Sequence, residues 1–316
     1  MRFYSCLFFI FLFLCLPPAH AHPHGAAYEV TRQETLSHLA SSQHVSSPQV
    51  TSLELVYKKV DSTELHMVLD YPPNYQPGQS YATIVFFFGG GWNGGSIAQF
   101  ESHARYFASR GLICARADYR VKNRHRTTPF KSVEDAKSAM RYLRKNAEVL
   151  GIDPGRIIAS GGSAGGHLAA ATATIPGLDG PGDDLSISTV PQALILFNPV
   201  IDNGPKGYGY ERIGERYPEF SPMHNLNTIA PPTIFFLGTA DKLIPVSTAK
   251  EYQKKMESRG QRCDLHLYEG QPHGFFNYKE IDSTYFKDTV LKADAFLQSL
   301  GYLQGPATLD QFLAGK

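Results

Sequence analysis

Cysteine is scarce in this chain: there are 4 among 316 residues, and two of them, Cys6 and Cys15, fall in an apolar N-terminal run. Cys114 and Cys263 are too few for a disulfide framework. They lie in strand-like stretches, Leu112-Ile113-Cys114-Ala115 and Cys263-Asp264-Leu265-His266-Leu267. A wound sheet would keep those stretches apart, so two buried thiols are expected rather than a bridge. Neither has a base beside it, which argues against a cysteine nucleophile. Excess charge is missing as well. Lys and Arg number 30 against 29 Asp and Glu, net +1, so nothing points to nucleic acid or to a strongly acidic partner. Repeats, low-complexity blocks and linkers are absent between 51 and 303, which reads as one domain. Metal motifs are lacking too: His22-Pro23-His24 looks like an N-terminal hook, but a proline at the second position has no amide N–H to surrender.

The N-terminus carries an address. Met1-Arg2 is followed by an apolar run over 6–16 and by Ala19-His20-Ala21, which together read as an export signal over 1–21. The run is shorter than the about 20 residues a bilayer span needs, so no stable membrane anchor is expected. Bulky Leu14 before Cys15 argues against lipid attachment. The expected location is secreted or periplasmic. Residues 22–50 are polar and read as a flexible lead-in, and 304–316 as a C-terminal tail.

From Ser52 the chain alternates as strands do, with Leu53, Leu55 and Tyr57, then Leu65, Met67 and Leu69, and a turn at Asp61-Ser62. Ala82-Thr83-Ile84-Val85-Phe86-Phe87-Phe88 is an unbroken apolar run, the pattern of a strand buried on both faces. Strands are also expected over 112–117, near Ile157, over 193–197, 233–237 and 263–268. Helices are expected over 98–109, 131–149, after Ser163, and over 247–258 and 284–300. The fold class is therefore α/β: a mostly parallel sheet with an N-terminal antiparallel hairpin and helices on both faces.

Functional groups in such sheets gather at the carboxyl ends of the strands. Gly161-Gly162-Ser163-Ala164-Gly165 follows the Ile157 strand and opens a small-residue helix, the context of a nucleophile elbow. Asp241 follows one later strand, in Gly238-Thr239-Ala240-Asp241, and His273 the last, in Pro272-His273-Gly274-Phe275. Ser163 needs an adjacent base, His273 would take its proton, and Asp241 would hold the imidazole tautomer. Gly89-Gly90-Gly91-Trp92 follows the phenylalanine-rich strand. With the N–H of Ala164, the N–H groups of Gly90 and Gly91 would form an oxyanion hole. Asp135 and Asp118 are the main alternative acids, and Asp202, also after a strand, could substitute for Asp241. Asp118 and Asp135 read as structural, and His167 as a packed residue.

These motifs, with Asp118-Tyr119-Arg120, cover 52–303. The chain resembles the α/β-hydrolase superfamily, especially the microbial esterases and lipases related to hormone-sensitive lipase. It looks closest to the secreted acetyl-xylan and feruloyl-esterase-like branch. The resemblance implies a serine carboxylic-ester hydrolase without metal or cofactor. One departure is visible: Phe88 stands where that family has a histidine whose ring bonds the surrounding backbone. Packing of Phe88 and Trp92 is expected to hold the loop instead.

The segment 202–226 has few core signals but carries Tyr208, Tyr210, Tyr217 and Phe220, and is expected to form a small lid or cleft wall. Trp92, Tyr208 and Tyr210 are the expected cleft residues, where they could stack on sugars. An open cleft and export favour a water-soluble ester, small or polysaccharide-borne, with a short acyl group such as acetyl. The competing readings are a serine peptidase of the prolyl-oligopeptidase type and a hydrolase fold serving only as a binding module. The oligomeric state is not legible.

Overall fold

The computed structural model describes residues 49–226 and 230–315. The expected export signal and residues 22–48 of the lead-in lie outside the described residues.

Alternating Leu53, Leu55 and Leu65, Met67, Leu69 make two antiparallel strands, β1 (Thr51–Val60) and β2 (Thr63–Tyr71). They are joined through Asp61, whose φ of 51° closes the turn. The pairing slips between Val56 and Lys58. This bulge buries both Tyr57 and Lys58, and the Lys58 ammonium then meets Asp135 Oδ1 at 2.8 Å.

The remaining strands are β3 (Tyr81–Phe87), β4 (Ile113–Ala117), β5 (Ile152–Gly162), β6 (Ala193–Phe197), β7 (Thr233–Gly238) and β8 (Cys263–Tyr268). They run parallel in one eight-stranded sheet of order β1-β2-β4-β3-β5-β6-β7-β8. The chain moves outward from β3 to β4, then returns past β3 to lay down β5. Strand order reverses there, and crevices form at the carboxyl ends of strands at such a switch.

Helices α1 (Glu101–Ser109), α2 (Pro129–Lys145), α3 (Ala164–Thr174), α4 (Val246–Glu257), α5 (Thr284–Ser299) and α6 (Leu309–Ala314) cover the sheet. Period-2 alternation divides each strand between two cores. Val85 and Phe87 join Met140, Leu168 and Tyr252 of α2, α3 and α4, while Ile84 and Phe86 join Phe107, Phe286 and Leu309 of α1, α5 and α6. Both faces of β3 are apolar for that reason. Among the described residues no helix is long and apolar enough to cross a membrane.

Two boundaries differ from expectation. The helix expected over 131–149 starts at Pro129, whose ring suits the first helical turn, and stops at Lys145 before a separate turn, Ala147–Leu150. The expected tail over 304–316 instead holds α6. Leu309 is buried, Phe312 sets its edge against Tyr106 at 5.7 Å, and the Arg110 guanidinium donates to the Gln304 and Gly305 carbonyls. A six-residue helix leaves little periodicity to read, so its docking decides its structure. Cys114 and Cys263 are buried free thiols on β4 and β8. Burial raises the pKa of both, that of Cys263 to about 12, which leaves them unreactive.

Candidate active site

β5 ends at Gly162 and α3 begins at Ala164, so Ser163 is the whole connection. Its φ of 55° and ψ of −120° lie in a region seldom used by anything but glycine. The surroundings impose that conformation. The Ser163 N–H donates to Phe197 O at 3.0 Å, and its carbonyl accepts from the N–H groups of His167 (3.0 Å) and Val200 (3.1 Å). Strand and helix meet so closely that a Cβ on Gly161 would stand 2.3 Å from Gly165 O, and one on Gly165 only 2.0 Å from Phe87 O. Glycine is needed at both positions, and the turn throws the serine hydroxyl outward.

The loop after β8 brings His273 to that hydroxyl. Nε2 lies 2.9 Å from Ser163 Oγ, and Nδ1 lies 2.7 Å from Asp241 Oδ2, on the loop after β7. The Asp241 side chain is fully buried. Its other oxygen accepts from the N–H groups of Leu243 (2.8 Å) and Ile244 (3.0 Å). Burial alone would raise this carboxyl's pKa. The imidazole and the two amides outweigh it and hold the pKa below the usual carboxylate range. Asp241 is therefore ionised wherever His273 can act as a base. Asp202, an alternative acid, accepts from the Gly204 N–H at 2.8 Å and faces His224 at 3.9 Å.

The glycine loop packs directly on the elbow. A Cβ on Gly89 would stand 3.3 Å from Ser163 Cβ. Gly90 and Gly91 follow with φ of 126° and 60°, and the Gly90 carbonyl accepts from Asn93 (3.0 Å) and Gly94 (3.3 Å), which closes the loop. Ala164 opens α3, where the first N–H groups have no partner within the helix. The arrangement is a serine hydroxyl in contact with an imidazole, that imidazole in contact with a carboxylate, and a glycine loop packed against the turn.

The chain is similar to known proteins over most of its described length. The BD-FAE family matches residues 69–203, and the dienelactone hydrolase family matches 208–302. A thermophilic esterase of the planctomycete Thermogutta terrifontis, Est2, solved with propionate bound, is 43% identical. It superposes with a TM-score of 0.77, covering 80% of this chain and 96% of that one. The chain belongs to the α/β-hydrolase esterases. Est2 has also been solved with butyrate bound and phosphorylated by paraoxon. Esterase LipC of Mycobacterium tuberculosis is 30% identical over 221 residues, 63% of this chain and 54% of its own. The acetylxylan esterase of Xylanibacter ruminicola is 28% identical over 235 residues, 68% of this chain and 44% of its own. The chain spans about half the length of these curated relatives.

The glycine loop is held without a histidine before it. Phe88 stacks on Tyr119 at 4.1 Å, and the Tyr119 hydroxyl donates to Phe88 O at 2.7 Å. The polar anchor is Gln99, which sequence reasoning missed. Its Oε1 accepts from the Gly89 N–H at 2.6 Å, and its amide donates to Asn277 Oδ1 at 3.0 Å. Asn277 in turn donates to Gly274 O at 2.8 Å, next to His273. Removing the acceptor would strand a largely buried N–H, a loss of about 1–3 kcal/mol. Gln99→Ala is expected to lower kcat on p-nitrophenyl acetate about tenfold with KM little changed. A wild-type kcat would show that Phe88 and Tyr119 suffice.

Trp92 corrects an expectation. Expected in the substrate cleft, it is only 1% exposed. Its ring meets His167 edge-on at 5.1 Å and Phe220 at 5.5 Å, with Arg212 over its face at 5.3 Å. The segment 202–226 folds over the tryptophan and turns it into an anchor. His167 donates through Nε2 to Phe220 O at 2.8 Å, and burial lowers its pKa to about 3, so it stays neutral. Tyr208 is half-buried, with its hydroxyl 2.8 Å from where a Gly91 Cβ would stand. Tyr210 turns to Glu215 and Tyr217 within its own segment. Arg212 donates to the Gly91 carbonyl and ties the segment to the loop. Asp135 is buried between Lys58 and Arg120, and Asp118 pairs with Arg124. Both are structural.

Proposed function

We propose that the chain is a serine carboxylic-ester hydrolase working through an acyl-enzyme on Ser163. The continuous contact Ser163–His273–Asp241 beside the glycine loop carries the proposal. Ser163 Oγ attacks the ester carbonyl as its proton passes to His273 Nε2. The N–H groups of Gly90, Gly91 and Ala164 stabilise the oxyanion, each worth about 3–4 kcal/mol in such holes. His273 then protonates the departing alcohol oxygen as its bond to carbon breaks. A water, deprotonated by the same imidazole, releases the acid and restores Ser163. Asp241 stays ionised and keeps the Nδ1–H tautomer.

The substrates are proposed to be short-acyl esters, acetyl above all, including acetyl groups carried on polysaccharide. Three things support this reading. The Tyr208 hydroxyl lies 2.8 Å from where a Gly91 Cβ would stand, close beside the glycine loop. Est2 holds propionate and butyrate. The Xylanibacter ruminicola relative is named an acetylxylan esterase. Action outside the cytoplasm is part of the proposal and rests on the leader over 1–21. The test is kcat/KM on p-nitrophenyl acetate, butyrate, octanoate and palmitate, followed by acetate release from acetylated xylan. Acetate or butyrate is expected to lead. Turnover of none of the four would sink the hydrolase, and a lead for palmitate would sink the short-acyl assignment. A mature N-terminus at His22 after expression with the leader would support export.

A further inference from the structure

Asn198 stands at the carboxyl end of β6, another strand end facing the site. It is fully buried, its φ is 34°, and its backbone N–H donates to Phe236 O at 2.7 Å. Asparagine tolerates left-handed backbone better than most residues. Its side chain touches the His273 loop twice: Oδ1 accepts from the Gly274 N–H at 3.1 Å, and Nδ2 lies 3.3 Å from His273 Nε2. Chemistry settles the orientation of the carboxamide. A backbone N–H can only donate, so oxygen must face Gly274 and the NH2 group must face the imidazole.

From this geometry we propose that Asn198 is a positioning residue that holds His273 neutral, with its proton on Nδ1, until Ser163 reacts. The inference rests on the ester-hydrolase reading. Two contacts then select one tautomer from opposite sides of the ring: Asp241 accepts from Nδ1–H, and Asn198 donates to Nε2, whose one lone pair it shares with the nearer Ser163 hydroxyl. The groups facing the imidazole are Asp241 after β7, Ser163 at the elbow and Asn198 after β6, of which Asp241 brings the charge. Asp241 favours the imidazolium, and Asn198 opposes it, because a protonated Nε2 would set N–H against N–H. As the Ser163 Oγ–C bond forms, the hydroxyl proton moves to Nε2 and the Asn198 contact turns repulsive. That repulsion favours passing the proton on to the leaving oxygen as the C–O bond breaks.

Asn198→Asp separates this role from a merely structural one. It is isosteric, it still accepts from Gly274, and it replaces the donor by a carboxylate. The readout is the imidazole 15N NMR titration of His273 in the full chain, identified by the signal that His273→Gln removes. The neutral ring in the wild type is expected to carry its proton on Nδ1. In Asn198→Asp the His273 pKa is expected to rise by about 1–3 units, as an added neighbouring carboxylate does. The acid limb of kcat/KM should move with it. Asn198→Gly, which suits the positive φ, is expected to raise it by less. It carries the comparison if the aspartate variant fails to fold. Titration at one common pH in all three proteins would overturn the proposal, as would an Nε2–H tautomer in the wild type. Failure of the wild type to turn over any ester would defeat the functional reading instead, and the titration would still decide the role of Asn198.

Discussion

Ser163→Ala is expected to lower kcat on p-nitrophenyl acetate by about 10⁶-fold, the loss that follows removal of the nucleophile from such a triad. KM should change little, because the hydroxyl is one small group among the contacts that bind substrate. Labelling by a fluorophosphonate should vanish with it, since that reagent needs the oxygen His273 activates. The proposed amide donors of Gly90, Gly91 and Ala164 remain, so a residue of about 10³–10⁴-fold over water is expected to persist. Stability sharpens the test. Ser163 sits at φ 55° and ψ −120°, a strain of about 1–3 kcal/mol that alanine keeps and glycine relieves. Ser163→Gly is therefore expected to be equally inactive yet more stable than Ser163→Ala in urea denaturation. A Ser163→Ala enzyme with a few per cent of wild-type turnover would mean that another residue attacks the ester.

Gly165→Ala is expected to damage the fold itself. As the second residue of α3, Gly165 would by propensity gain about 1 kcal/mol from alanine. The contacts say otherwise. The new Cβ would stand 2.0 Å from Phe87 O, 2.3 Å from Phe88 O and 2.5 Å from Phe87 C. These are backbone atoms at the end of β3, which is paired on both sides, by β4 and β5. No side chain can swing away, so strand or helix must shift, at a cost of about 3 kcal/mol or more. The overpacking outweighs the propensity. Net of the propensity gain about 2 kcal/mol or more is lost, so a fall in Tm of at least about 4–8 °C is expected for a domain of this size, with a fall in kcat, because β3 carries the glycine loop and α3 the Ala164 amide. Wild-type Tm and activity would show that the elbow is looser than its contacts imply.

Much of this was legible locally. Period-2 alternation marked β1 and β2, and an unbroken apolar run marked β3 as buried on both faces. The flanks of Ser163 announced a strand, a tight turn and a helix. Ser163, Asp241 and His273 could be singled out because each follows a strand, and a parallel sheet delivers its strand ends to one side. The same logic applied to β6 would have pointed to Asn198, whose side chain is polar and whose strand is plain in Ala193-Leu194-Ile195-Leu196-Phe197.

Side-chain period and turn chemistry act over a few residues, so the kind of sheet and the residues at its carboxyl edge follow from local pattern. Only the tertiary structure decided the rest. Gln99 and Asn277 are 178 residues apart, and Asn198 and His273 are 75 apart. No local pattern encodes those hydrogen bonds, which exist because the strand order sets β3, β5, β6, β7 and β8 side by side. Trp92 makes the same point in reverse. A tryptophan after a glycine loop suits a cleft or a core equally well. The choice fell to the segment 202–226, which lays Phe220 and Arg212 over the ring and removes it from water.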